Sequence, residues 1–177
     1  LNPSNPPPVL GLAARSGTGK TTLLTGLIPA LARRGLRCAV IKHSHHDFEI
    51  DVPGKDSHRL RAAGAAQVLL ASPHRTFWVE EGDGHTEPGL PALLARLNTG
   101  ALDLVLVEGF RDAAVAKIEV HRPARGLPLL CTGDPHVIAV ACDAPPGEPV
   151  DVPLLPLNDP DAVAAFVQRW FQGAADR

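Results

Sequence analysis

The sequence predicts an α/β fold: a mostly parallel sheet flanked by helices, with an additional edge hairpin. Three observations carry this expectation. Short apolar runs alternate with segments of helical period, the pattern of strands joined by helical crossovers. One run, residues 102–107, is nearly continuous in apolar residues, as parallel strands covered on both faces are. The chain has 177 residues, 45% of them hydrophobic and 20% charged, an ordinary globular composition that excludes disorder as the dominant state. A chain of this length buries roughly 70% of its unfolded surface and needs neither disulfides nor a structural metal to fold.

The elements follow in order. Residues 1–8 hold four prolines and no apolar period, and read as a flexible leader. Residues 9–177 read as one nucleotide-binding domain. Residues 9–14 form a first strand that stops at a glycine-rich loop, Arg15-Ser16-Gly17-Thr18-Gly19-Lys20. From Thr21 the apolar positions Leu23, Leu24, Leu27, Ile28 and Leu31 take helical spacing. Arg33, Arg34 and Gly35 make a good helix stop, with basic residues on the negative end of the dipole. Pro29 violates that helix locally.

Cys38–Lys42 reads as a second strand, 43–55 as a loop and 57–66 as a helix. Residues 68–71 read as a strand and Thr76–Glu80 as an edge strand or hairpin arm. Residues 91–97 read as a short helix, and 102–107, 116–120 and 137–141 as further strands. Asp159-Pro160-Asp161 supplies an N-cap, an N1 proline and an early acid for a helix to about Phe171.

Composition bounds the function. Net charge is −2, without the basic footprint that duplex nucleic acid requires. No run approaches the roughly 18 apolar residues of a membrane-spanning helix, and no secretory pattern opens the chain. Cys38, Cys131 and Cys142 lack metal-like spacing and read as buried thiols of a cytoplasmic protein.

Strand, glycine loop, Gly-Lys-Thr-Thr and helix form the P-loop context. Small residues let successive backbone N–H groups turn inward onto phosphate oxygens. The expected phosphate-binding set is Arg15, Ser16, Gly17, Thr18, Gly19, Lys20, Thr21 and Thr22. Lys20 neutralises the phosphates, and the Thr21 hydroxyl serves Mg²⁺. Ala14 stands where the consensus has its first glycine, which fits if φ stays negative there. Glu108 ends the most apolar strand, at the carboxyl edge where open α/β sheets bind ligands, with Gly109 allowing close backbone approach. It is the expected partner of the Mg²⁺ shell. Asp103, at the other end of that strand, reads as structural.

Lys42-His43-Ser44-His45-His46-Asp47 follows the second strand to the same edge. His45, His46 and Asp47 are legitimate transition-metal ligands. The favoured reading is contact with phosphate or a pterin, with Lys42 as a second cation; solvated surface is the remaining one. Lys55 and Asp56 come next. Asp56 could cap the following helix or join the Mg²⁺ shell. Arg59 and Arg61 read mainly as a solvated face.

Taken together, residues 13–22, 41–47, Gly54-Lys55-Asp56-Ser57 and 104–110 closely resemble the molybdopterin-guanine dinucleotide biosynthesis protein B (MobB) family. The resemblance runs from about residue 9 to 171. It implies a P-loop NTPase-like fold related to dethiobiotin synthetase and the nickel-insertion GTPases. It further implies binding of GTP with Mg²⁺, slow hydrolysis and a homodimer. The implied role is beside the guanylyltransferase that joins GMP to molybdopterin, with direct molybdopterin binding left open. By the same resemblance Mg²⁺ falls to Thr21, Asp56 and Glu108, and a phosphate contact to Lys42. His43, His45, His46, Asp47 and Lys55 form the substrate or partner loop. No Asn-Lys-x-Asp appears, so the guanine readers are sought in Asp143, which follows a strand end, and in Asn158 of the segment 155–159.

Two alternatives have their own signatures. A metal-insertion GTPase would use His45, His46 and Asp47. A small-molecule kinase would carry an arginine-rich lid late in the chain, but after Pro123 the arginines are Arg125, Arg169 and Arg177, too scattered for one.

Overall fold

The computed structural model describes residues 6–15, 17–44 and 48–175. These fall into two compact units, one built from the chain up to His43 and from Leu90 onward, the other from Ser44–Gly89.

The first unit is a six-stranded sheet in the order β2-β5-β1-β6-β7-β8, with every neighbouring pair parallel. The strands are β1 (Val9–Ala13), β2 (Cys38–Lys42), β5 (Leu104–Glu108), β6 (Ala116–His121), β7 (Val137–Cys142) and β8 (Leu154–Pro156). β1 sits centrally because its apolar residues are covered on both sides: Leu10, Leu12 and Ala13 are buried. β5 is buried along its whole length, as its apolar run predicts.

On one face, Leu10, Leu12, Leu104, Leu106, Ile118 and Val120 share a core with α1 (Lys20–Arg33) and α4 (Pro160–Ala175). The helical spacing read in the sequence is the buried face of α1: Leu23, Leu24, Leu27 and Leu31. α1 continues through Pro29 and ends at Arg33. Leu36 N–H bonds back to Leu31 O at 3.1 Å, and Arg33 and Arg34 both pair with Asp161 at the start of α4. Asp159 accepts from Ala162 N–H at 3.0 Å, the cap expected for α4. On the opposite face, Ile41, Val105 and Val107 pack with Leu90 of α3 (Leu90–Leu94) and with Phe110 and Val115.

Three features differ from the expectation. β8 is a strand where none is predicted; it is three residues long and ends in proline, which only an edge tolerates. Two 3₁₀ turns, Thr99–Ala101 and Pro123–Arg125, carry too few residues for a periodic signal. Of the cysteines, only Cys142 is buried; Cys38 and Cys131 are half-buried. Asp103 is structural, accepting from Arg37 N–H at 2.8 Å.

The second unit holds α2 (Asp56–Ala62) and an antiparallel hairpin, β3 (Gln67–Ala71) with β4 (Thr76–Glu80). The hairpin is a two-stranded sheet of its own. α2 stops four residues before its predicted end because the chain turns into left-handed backbone at Gly64, φ +102°. Arg61 is the correction here: it is no solvated side chain. It bonds Glu49 twice and Glu81 once, and its side chain is 16% exposed. Hydrogen bonds to Glu49 and Glu81 hold the Arg61 guanidinium above its ordinary pKa, and Arg61 in turn holds the Glu49 carboxyl below its own. Ser57, buried, donates to Asp51 at 2.8 Å.

Candidate functional site

The phosphate loop leaves β1 at Ala13 and enters α1 at Lys20. Gly17 and Gly19 adopt φ +72° and +102°, left-handed backbone that side chains disfavour. Ala14 keeps a non-positive φ, since Phe110 is the one non-glycine with positive φ among the described residues. Alanine is therefore accommodated at that position. Thr18 is buried and its hydroxyl donates to Arg15 O at 3.0 Å. Lys20 Nζ reaches back to within 3.5 Å of Ala14 O, so the cation lies over the loop. Arg15 Nε is buried without a hydrogen-bond partner among the described residues. An unpaired guanidinium N–H at a glycine-rich loop suits an anion. Ser16 lies outside the described residues.

The Thr21 hydroxyl donates to Glu108 Oε1 at 2.7 Å. This contact joins residues far apart in sequence, and the fold makes it. β5 pairs directly with β1, in register Leu12 opposite Glu108, so the acid ends one strand over from the loop. On the other side Lys42 is in register with Glu108, and its Nζ lies 3.9 Å from Glu108 Oε2. Glu108 is 8% exposed. Thr21 and Glu108 thus form a pair of oxygen donors, the hard ligands Mg²⁺ prefers, while Lys20 and Lys42 supply positive charge. Those residues fit a magnesium–phosphate ligand.

Gly109 is required where it stands: at φ +101°, an added Cβ would lie 2.7 Å from His43 Cβ. His43 N–H donates to Glu108 O at 2.8 Å, and its ring stacks on Phe110 at 4.5 Å. This close crossing holds Phe110 at φ +49°, an uncommon backbone for a bulky residue and a form of local strain.

A cavity of about 180 Å³ opens beside the loop, lined by Gly19, Thr22, Leu23, Arg122, Leu157, Asn158 and Pro160. Gly19, Thr22 and Asn158, three of the predicted site residues, therefore meet at one opening. Asp143 does not line it; its carboxylate pairs with Arg122 Nη1. Asp56 and Lys55 belong to the second unit. Lys55 holds the N-cap position of α2 and makes no side-chain cap bond, while Asp56 is the first helical residue rather than the cap. Asp56 is highly exposed and lies 3.7 Å from Arg59. His45, His46 and Asp47 lie outside the described residues. Among the described residues, no three His, Cys, Asp or Glu side chains cluster to hold a metal, and no helix is long and apolar enough to cross a membrane.

Sequence reasoning missed Arg122, and it dismissed Arg125. Arg122 Nε donates to Thr18 O and Arg125 Nη1 to Gly17 O, both at 2.8 Å. A signal existed: Arg122-Pro123-Ala124-Arg125 follows β6, whose carboxyl end lies at the same edge as the loop.

The family described as molybdopterin guanine dinucleotide synthesis protein B (MobB) matches residues 9–143. The chain is 50% identical over 166 residues to the molybdopterin-guanine dinucleotide biosynthesis adapter protein of Escherichia coli K12, covering 93% of this chain and 94% of that protein. It is 41% identical over 174 residues to the Haemophilus influenzae protein of the same description, covering 97% and 95%. A crystal structure of molybdopterin-guanine biosynthesis protein B superposes with a TM-score of 0.71 at 26% identity, over 93% of this chain and 99% of that one. The match spans the phosphate loop, the strand bearing Glu108 and the segment bearing Arg122, and on that extent the chain belongs to the MobB family.

Proposed function

We propose that this protein is an adapter in molybdopterin-guanine dinucleotide synthesis that binds Mg-GTP and hydrolyses it slowly. It serves a guanylyltransferase partner that attaches GMP to molybdopterin. The adapter role is supported by the description its Escherichia coli and Haemophilus influenzae relatives carry. One observation supports the nucleotide reading most: the Thr21 hydroxyl and Glu108 carboxylate meet at 2.7 Å beneath a phosphate loop.

Thr21 and Glu108 are the residues that would hold Mg²⁺, and the bound ion would offset phosphate charge. The loop amides and Lys20 bind and orient the phosphates, and Lys42 adds charge from the neighbouring strand. In the opening beside Gly19, Asn158 can offer its amide to the base. Slow turnover fits the placement of glutamines: Gln67 lies in β3 and Gln168 and Gln172 in α4. None follows a strand of the main sheet, where a residue that orients the attacking water would stand.

The hairpin supports a homodimer. Leu69, Leu70 and Trp78 of β3 and β4 are 66%, 55% and 43% exposed, and exposed apolar strands are ordinarily covered. Light scattering at micromolar concentration should give twice the chain mass; a monomer would remove this part of the reading.

Calorimetric titration with Mg-GTP and Mg-ATP side by side tests the central claim. Preferential GTP binding is expected, with Glu108→Gln weakening the magnesium dependence. ATP binding as tight as GTP would overturn the guanine assignment. Measuring Asp56→Ala in the same series decides whether that acid contributes to the magnesium requirement.

A further inference from the structure

The phosphate loop is gripped from outside. Its amides can serve a phosphate only if they point inward, and a trans peptide is planar, with C=O and N–H directed oppositely. Fixing the carbonyl of one residue therefore aims the N–H of the next. Arg125 Nη1 holds Gly17 O and Arg122 Nε holds Thr18 O, each at 2.8 Å. Those two peptides carry the N–H groups of Thr18 and Gly19. Both glycines take left-handed backbone that side chains disfavour. At Gly17 an added Cβ would also crowd Arg125 Nη1 at 3.1 Å, whereas at Gly19 it would meet Arg122 Nη2 only at ordinary contact distance, 3.4 Å.

The clamp is itself anchored. Arg122 Nη1 pairs with Asp143, just beyond β7. Residues 122–136 form a strap fixed by a buried polar row on β6, whose Lys117, Glu119 and His121 are 2%, 2% and 7% exposed. Lys117 Nζ bonds Asp134, and Glu119 accepts from the N–H groups of Leu130 and Cys131, each at 2.9 Å.

We propose that Arg122 and Arg125 are positioning residues that pre-set the phosphate cradle by holding its outward carbonyls, and that Asp143 acts through Arg122 rather than on the base. The proposal rests on the nucleotide reading above. Pre-organised donors bind without the cost of ordering the loop at the moment of binding. The consequence is specific: the clamp governs affinity for every phosphate-bearing ligand alike, and leaves the chemical step little changed.

The test is titration of Mg-GTP, Mg-GDP and Mg-ATP into the wild type, Arg122→Ala, Arg125→Ala, Asp143→Asn and the Arg122→Ala/Asp143→Asn pair, with single-turnover hydrolysis and ligand-free thermal unfolding alongside. Loss of one charge-assisted hydrogen bond of this kind should weaken GTP and GDP together by about tenfold, with the hydrolysis rate at saturation within about twofold of wild type. Asp143→Asn should weaken binding less than Arg122→Ala and add nothing to it in the pair. Arg122→Lys, which keeps one donor, should recover part of the affinity and guards against a variant that merely unfolds.

Three results would overturn the proposal. One is unchanged affinity in both arginine variants while the wild type binds. Another is a hundredfold slower hydrolysis at saturation with unchanged affinity, which would make an arginine a catalytic residue. The third is an Asp143→Asn loss confined to GTP with ATP spared, which would return Asp143 to the base. A wild type that binds no nucleotide would instead overturn the nucleotide reading itself.

Discussion

β5 and β6 flank β1 on its two sides, and they differ in what they bury. β5 is Leu-Val-Leu-Val-Glu, apolar on both faces with a single acid at its carboxyl end. β6 buries Ile118 and Val120 on the core face and Lys117, Glu119 and His121 on the other. The first strand presents its charge at the ligand edge, where Glu108 meets Thr21. The second spends its charges inside, pinning the strap that carries Arg122 and Arg125 to the loop. One site is thus built in two ways, by an apolar strand that ends in function and by a polar strand that supports function at a distance.

If that contrast is right, the largest stability effect should come from β6. Asp134→Ala would leave the Lys117 ammonium buried without its partner, and breaking a buried pair in this way costs about 3–5 kcal/mol. Lys117→Met should cost much less, because the carboxylate it leaves behind is 24% exposed and can rehydrate. Chemical denaturation of the two variants measures the asymmetry; equal losses would mean that the pair is not what holds the strap. The acid limb of stability should change as well. Burial pushes the Asp134 carboxyl up, but the Lys117 hydrogen bond, the His136 amide and the nearby positive charges outweigh it and leave it below the usual carboxylate range. A depressed carboxyl contributes fully above its unfolded value, about 3.9, and loses that contribution as pH falls through the lower folded value. Asp134→Ala should flatten the stability profile in that window.

On β5 the corresponding test is Leu106→Ala, at a side chain with no exposed surface. Cavity formation there should cost about 3 kcal/mol, without the acid-side signature. Asp103→Ala, which removes the acceptor for Arg37 N–H at 2.8 Å, should cost only about 1 kcal/mol because the site is exposed.

The same contrast explains what could be read in the sequence. The phosphate loop and Glu108 were legible because a glycine-rich turn between strand and helix, and an acid closing an apolar run, are local patterns. Lys117, Glu119 and His121 alternate with Ile118 and Val120, which in sequence is indistinguishable from a strand with one wet face. Their burial depends on Asp134 and the Leu130 and Cys131 amides, supplied by a strap without periodicity. Arg125 looked scattered because its partner, a carbonyl of Gly17, carries no side-chain signal at all. Asp143 follows β7 at the sheet's carboxyl edge, a position legible in the sequence, but its contact with Arg122 depends on the register of β6 with β7. Asn158 lines the opening beside Gly19 because Asp159-Pro160 fixes where α4 begins, but the sequence offers it only as a candidate base reader. The ion-paired role of Arg61 needs Glu49 and Glu81, brought together only by the fold of the second unit.

The smallest effect, and the sharpest probe of the strap, is thiol reactivity. Cys38 lies on β2, beside β5; burial first, then the charge of Asp103, pushes its thiol up to about 11. Cys131 lies in the strap; burial first, then Glu119, pushes its thiol up as well. The thiolate is the nucleophile, so at pH 8 both should alkylate more slowly than an unfolded control, Cys38 with only about a thousandth of its thiol ionised. The two then separate by what releases them. Cys38 is held by the sheet and should gain reactivity only on Asp103→Asn, by a few-fold. Cys131 is held by the strap and should gain on Asp134→Ala, with Cys38 in the same sample unchanged. Mass spectrometry of the two peptides after iodoacetamide treatment reads both at once. Release of Cys38 along with Cys131 would show that the strap and the β2 edge open as one unit, and the division between the two sides of β1 would not survive it.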